Sequence, residues 1–229
     1  AWYHIVCAVD STQASSGDRV AIYVNNVAQE LGTNTLSQNR EFKINTDNKH
    51  VIGCRWLSDS YDSGFNGYLA DFHFVDGSKL TPSSFGETNT DTGEWVPKKY
   101  AGSHGTNGYY LKWTDNSGTT STTLGKDSSG NGNNWTPVNL ATGDSVKDTP
   151  TNNFATLRMI NVPIESGASL SEGNLKWVSG SGTSARNQNK QAISNILVNS
   201  GKWYSECRMG TALGFIGVGP YQINIGPTA

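Results

Sequence analysis

The sequence predicts an all-β protein of the antiparallel β-sandwich type with a few short helical turns. Three observations carry that prediction. Charged residues make up only 16% of the chain, against roughly 25% in an average soluble domain. Gly, Ser, Thr and Asn supply the polarity instead, and these residues suit turns, Thr also strands. Short apolar runs recur between turn dipeptides such as Asn25-Asn26, Asn66-Gly67 and Asp76-Gly77, which is strand-and-turn punctuation. No apolar stripe of helical period is sustained; the best one, Ala192, Ile193, Ile196 and Leu197, sits among Asn and Ser, which weaken a helix.

In chain order, Trp2–Asp10 is a strand by composition. Arg19–Asn25 alternates, with Val20, Ile22 and Val24 on one face and Arg19, Ala21 and Tyr23 on the other. Asn25-Asn26 then turns the chain, because Asn tolerates positive φ. A long polar connection leads to a third strand, His50–Trp56, and a fourth, Tyr68–Val75. The fourth places Tyr68, Ala70, Phe72 and Phe74 on an apolar face and Asp71 and His73 on a solvated one. Thr81 as N-cap, Pro82 at the first helical position and Gly86 at the end predict one helical turn. Residues 87–105 read as a linker or long loop, Gly108–Trp113 as a strand, and KDSSGNGNNW (126–135) as a Gly/Asn turn after it. Thr149–Phe154 reads as an extended connector. Gly201–Met209 and Leu213–Val218 are strands of a later unit.

Composition also excludes functions. The formal net charge is −2 and no run of Lys or Arg stands out, so the electrostatic footprint of a nucleic-acid binder is missing. No stretch approaches the roughly 20 apolar residues that span a bilayer. Cys7, Cys54 and Cys207 are too few for a disulfide framework; Cys7 and Cys54 read as buried thiols, with a Cys7–Cys54 bridge left open. No CxxC or His/Cys cluster points to zinc. The chain opens directly into a strand and closes after FIGVGPYQINIGPTA, the expectation for a piece of a longer polypeptide.

The Lys126–Trp135 loop is the sharpest chemical motif. Asp127, Ser129, Asn131 and Gly132 match the first positions of an EF-hand loop, but Val138 stands where its last carboxylate belongs and no helices flank it. Gly125-Lys126 fails the phosphate-loop spacing, being preceded by Thr120 and followed by Asp127. Glu87, Asp91 and Glu94 have the wrong spacing for a glycosidase pair, and no Gly-x-Ser-x-Gly elbow occurs. Exposed aromatics beside loop Asn side chains suit sugar recognition, a ring stacking on the sugar while amides bond its hydroxyls. Trp56, Tyr61, Asn134 and Trp135 are the glycan-binding candidates, with core packing or a subunit contact as the other reading of each.

Three groups of segments carry resemblances. AWYHIVCAVD, RVAIYVNNV, HVIGCRW and FNGYLADFHFVDGSKLTPSSF together resemble the second half of a laminin-G/concanavalin-A-like jelly roll, with Asn26 where the turn glycine is usual. GNLKW, SGKWYSECRM and FIGVG resemble the opening of a SPRY-type sandwich, with Ser205 replacing the usual bulky residue. NGYYLKW, DSSGNGNNW and DTPTNNFATL resemble segments of large virion proteins of marine tailed bacteriophages. These resemblances imply a half-sandwich over 1–86, a linker and strand-loop segment over 87–150, and the start of a second sandwich over 151–229. They imply that calcium, if any cofactor is used, sits at a loop rim on Asp127 and Asn131, beside the simpler reading of a tight turn. The Glu-x-Asp-x-Glu run of glucanases with this fold is absent.

The function so implied is a non-enzymatic structural or adhesive component of an extracellular virion: a fibre, an appendage or a surface decoration. Its partners would be other virion proteins, further copies of itself in a symmetric homo-oligomer such as a trimer, and host-surface glycans, with no nucleic acid and no membrane insertion. The alternative is a carbohydrate-binding module or fragment of a secreted bacterial glycan-active enzyme.

Overall fold

The computed structural model describes residues 2–32, 36–160, 168–178, 191–196 and 200–210. Among them the regular structure is β, and the only helical pieces are single 3₁₀ turns at Ser16–Asp18, Pro82–Ser84 and Thr142–Asp144. The strands are β1 (Ile5–Val9), β2 (Val20–Val24), β3 (Val27–Ala28), β4 (Arg55–Leu57), β5 (Ser60–Asp62), β6 (Phe72–Phe74), β7 (Gly86–Thr88), β8 (Trp95–Pro97), β9 (Tyr109–Leu111), β10 (Leu157–Ile160), β11 (Ser169–Ser171), β12 (Lys176–Val178) and β13 (Gln191–Ser194). They pair antiparallel in small sheets: β1-β2-β3, β4-β5, β6-β9, β7-β8, β10-β13 and β11-β12. The described residues thus make many small sheets rather than two continuous facing ones.

The chain divides into two units, Ala1–Asn195 and Ile196–Ala229. In the first, β1 pairs β2 with Ile5 opposite Val24, Cys7 opposite Ile22 and Val9 opposite Val20. The β2–β3 connection is the expected Asn25-Asn26 turn, with φ of 47° and 68°. Two left-handed residues make the turn whose twist matches a hairpin. β2 stands where it was expected but is half-buried along its whole length, and the Cys7 thiol is not buried. Ala8 is the buried residue of β1, whereas Cys7 shares the outer face with Ile5 and Val9 and is exposed. Cys54 is half-buried, and all three cysteines are free thiols.

Arg19, on the face of Ala21 and Tyr23, is buried. Its guanidinium donates to the carbonyls of Gln13 (2.8 Å), Ala14 (2.7 Å) and Leu36 (2.5 Å). Those acceptors let a charge leave water, because a buried cation without them is prohibitively costly. The same contacts fix the 10–19 loop.

Several expected strands are shorter. His50–Trp56 is strand only from Arg55, after Gly53 at φ 83° turns the chain. Tyr68–Val75 is strand only at β6, because Asp71 adopts φ 49° and breaks the extended run. The expected face therefore does not persist, and Tyr68 is exposed. The helical turn stands at Pro82–Ser84 with Thr81 as N-cap, although the Thr81 hydroxyl makes no capping bond.

The stretch read as a loop after residue 86 instead contains the β7–β8 hairpin. Gly86 does not end the helical turn; it opens β7 and lies under the Trp95 ring, where a Cβ would collide. The Trp95 indole N–H donates to His4 Nδ1 at 2.9 Å and ties β8 to the segment before β1.

Thr149–Phe154 is a tight turn closed by a Thr149–Asn152 bridge rather than an extended connector. Of the weak helical stripe, Ala192 and Ile193 are corrected to strand: β13 pairs β10, with Ile193 opposite Arg158, and Ile196 lies beyond its end. In the second unit, Gly201–Met209 forms no strand. Trp203 and Tyr204 are exposed there, and no described strand supplies the ladder that a strand needs. Leu197 and Leu213–Val218 lie outside the described residues.

The most buried apolar side chains are Leu111, Leu124 and Ala8. Leu111 ends β9, so the best-packed part of the first unit surrounds the β6–β9 pair and the loop that follows it.

Candidate functional site

The first surface of interest is the β4–β5 hairpin. Ser58 and Asp59 both take positive φ, 49° and 60°, again the two-residue turn that fixes hairpin register. The register places Trp56 opposite Tyr61 and Arg55 opposite Asp62. Alternation sends these pairs to opposite faces. On one face the Trp56 and Tyr61 rings meet edge to face, 4.6 Å apart at 62°. Lys49 reaches over them, its Nζ 3.3 Å from the Trp56 ring centre and 4.7 Å from that of Tyr61. On the other face Arg55 donates to both oxygens of Asp62, Nε to Oδ1 at 2.8 Å and Nη2 to Oδ2 at 2.6 Å. That bidentate contact holds the Asp62 carboxyl below its usual range. Beside the hairpin lies an open apolar groove of about 460 Å³, lined by Val51, Ile52, Phe65, Leu69 and Phe72 with Arg55 among its polar groups.

The Lys126–Trp135 loop is a second centre, built around one carboxylate. Asp127 Oδ1 accepts the backbone N–H groups of Tyr110 and Ser129, each at 2.8 Å. Its Oδ2 accepts the Ser129 hydroxyl at 2.8 Å and the Asn133 N–H at 3.0 Å. The roughly four acceptor directions of a carboxylate are thereby met. Burial pushes the Asp127 pKa up as its largest single influence; the N–H groups of Tyr110, Ser129 and Asn133 and the Ser129 hydroxyl together outweigh it and leave it below the ordinary value.

Around this carboxylate the asparagines act as hooks. Asn131 Nδ2 donates to the carbonyls of Gly105 (2.6 Å) and Gly108 (2.8 Å). Asn133 Nδ2 donates to those of Thr106 (3.0 Å) and Gly108 (2.9 Å). Asn134 Oδ1 accepts the Asp127 N–H at 2.8 Å. Gly125 lies against the Trp135 carbonyl, where a Cβ has no room. The loop thus clamps the segment that enters β9. A cation at Asp127 would have to displace its donors, and among the described residues no group of three or more His, Cys, Asp and Glu is placed to hold a metal ion.

The structure therefore brings Trp56 and Tyr61 together and places Asn134 and Trp135 elsewhere. Trp135 is half-buried with its ring 5.0 Å from that of Tyr109, while the Asn134 side chain serves the Asp127 loop. Asp127 and Asn131 share that loop, but the Asn131 contacts run through its amide N–H₂ to chain carbonyls. Nothing in its sequence context marks Lys49, which lies seven residues before Trp56 in a polar connection.

A third group also escapes local reading. His73 on β6 stacks on Tyr110 of β9, ring centres 3.9 Å apart, because the strand register sets them opposite. His73 Nδ1 lies 3.0 Å from His104 Nε2, and the Tyr110 hydroxyl donates to Asp71 at 2.5 Å. Phe85 lies tilted against His73 and Tyr100 meets it edge on. The solvated face expected for Asp71 and His73 is thus a packed one. Burial, reinforced by His104 and opposed by Asp71, lowers the His73 pKa to about 4. Burial also lowers that of His104, against the opposing charge of Asp127. One ring nitrogen donates and the other accepts, so the pair is arranged for its neutral state.

No family model matches the chain, and no curated protein and no solved structure matches it.

Proposed function

We propose that the chain is a non-enzymatic structural or adhesive part of a phage virion, a fibre, appendage or surface decoration, that contacts host-surface glycans through the Trp56–Tyr61 hairpin. The observation that carries the adhesive reading is that hairpin. A two-residue turn holds two aromatic rings in contact, with Tyr61 exposed and Trp56 half-buried. Such a corner offers the flat apolar surface against which a sugar ring packs, next to polar groups for its hydroxyls. The Asp127 loop and the β6–β9 stack belong to the framework: their polar groups are spent on internal bonds.

The small antiparallel sheets are read as parts of sandwich modules of laminin-G and SPRY type. In support, β1 and β2 present Ile5, Cys7 and Val9 beside Val20, Ile22 and Val24, an apolar face of the kind that a facing sheet covers. Weak single contacts gain strength when a symmetric oligomer, such as a trimer, repeats them on one particle. The test is binding of fluorescently labelled full chain to intact host cells. The wild-type chain is expected to pellet with cells, and Trp56→Ala and Tyr61→Ala are expected to remain in the supernatant with an unchanged far-UV spectrum. Undiminished pelleting of both variants would remove the hairpin from adhesion.

A further inference from the structure

We infer that the Trp56–Tyr61 hairpin selects acidic sugars, and that Lys49 is the residue that reads their negative charge. The inference rests on the glycan reading above and narrows it to a ligand class: sugars carrying a carboxylate, sulfate or phosphate.

The hairpin turns at Ser58-Asp59, both at positive φ. That turn fixes the register, and the register divides the hairpin's charges between its two faces. Arg55 and Asp62 fall on one face and neutralise each other through a two-bond contact. Lys49 lies on the other, over the aromatic pair. No carboxylate among the described residues is within ion-pair distance of Lys49. Asp62, the acidic residue of β5, is sent by alternation to the far side of the sheet and is already paired.

The aromatic rings attract the ammonium through their quadrupoles and restrict where it sits. They do not use its N–H groups, of which a lysine has three and no acceptor. None of these meets an acceptor among the described residues. The result is a cation held beside an aromatic corner with donors still open to the ligand side. A neutral sugar would leave that charge uncompensated while covering part of its hydration. An acidic sugar packed on the Tyr61 side would bring an oxyanion to it. Binding would replace water on an ammonium with a charge-assisted hydrogen bond, which is stronger than a neutral one.

The experiment uses two polymer pairs that differ only in charge: polygalacturonate against its fully methyl-esterified form, and dextran sulfate against dextran. Binding of the full chain is measured by titration calorimetry. For wild type, at least one charged polymer is expected to bind about tenfold more tightly than its neutral partner, the scale of one charged hydrogen bond. Lys49→Gln is expected to abolish that preference and Lys49→Arg to retain most of it. Trp56→Ala is expected to weaken both members of the pair.

Which pair responds tells a carboxylate reader from a sulfate reader, and either result supports the inference. Equal binding of charged and neutral polymers, or a preference that survives Lys49→Gln, would overturn it while leaving the glycan reading intact. Failure of all four polymers to bind, or indifference to Trp56→Ala, would overturn both.

Discussion

Removing the Asp127 carboxylate should unseat the loop that holds β9, and its size can be worked from the contacts. Asp127→Ala deletes the acceptor of three backbone N–H groups, from Tyr110, Ser129 and Asn133, and of the Ser129 hydroxyl. A hydrogen bond to a charged group contributes about 1.5–3 kcal/mol, and an unsatisfied buried donor costs about 1–3 kcal/mol. The losses do not add in full, because they share one loop and water can enter from the exposed Asn131 side. A destabilisation of about 3–4 kcal/mol is expected, a large part of a typical domain's stability. Asp127→Asn keeps one acceptor oxygen and should cost about half as much.

The assay is urea unfolding followed by tryptophan fluorescence, in which the midpoint falls while the slope is preserved. The carboxylate's lowered pKa adds a check on sign. Its contribution is present above the ordinary value of 3.8 and is lost as pH falls through the lower folded value. Variant and wild type should therefore converge in acid. A loss below about 0.5 kcal/mol, the range of an ordinary surface substitution, would refute the reasoning that this carboxylate holds the loop.

Other consequences are as direct. The folded-state pKa of His73 lies below its ordinary value, so the unfolded chain binds the proton more readily. Its contribution to stability is complete above pH 6.5 and declines as pH falls toward about 4; the urea midpoint should drop over that window and flatten in His73→Gln/His104→Gln. Gly86→Ala pushes a Cβ into the Trp95 ring and should cost about 1–3 kcal/mol, with a Trp95-dependent change in fluorescence. Asn26→Gly relieves a side chain held at φ 68° and should stabilise the β2–β3 hairpin by about 0.5 kcal/mol, read as a raised melting temperature.

What was legible in the sequence follows the range of the interactions involved. The Asn25-Asn26 turn and the helical turn at Pro82 are set by residues within a few positions of one another, and both stand where those residues place them; the strand read over Gly108–Trp113 is shorter, Tyr109–Leu111, because Trp113 takes φ 54°. The β7–β8 hairpin is not legible from its polar composition; the bond that ties it to the rest of the unit, from Trp95 to His4, spans 91 positions. Tyr68–Val75 reads as one long strand because composition does not show that Asp71 turns left-handed.

The site residues divide in the same way. Trp56 and Tyr61 are five apart across a tight turn, and their pairing is local. The link between Asn131 and the carbonyls of Gly105 and Gly108 is not, nor is the His73–His104 contact across 31 positions. Glycine and asparagine in KDSSGNGNNW suit a tight turn first, and a metal loop also. Only the positions of Tyr110 and residues 105–108 show that Asp127 and the asparagines bind the chain's own backbone.

The central claim is that this chain is a built-in part of a virion. Quantitative mass spectrometry of density-purified particles, prepared from the source of the coding sequence, tests it most directly. A virion component should co-purify with the particle at a fixed, integer-related copy number and remain after high-salt washing. Its absence from washed particles, with the protein recovered only as a soluble glycan-cleaving activity in the lysate, would contradict the claim.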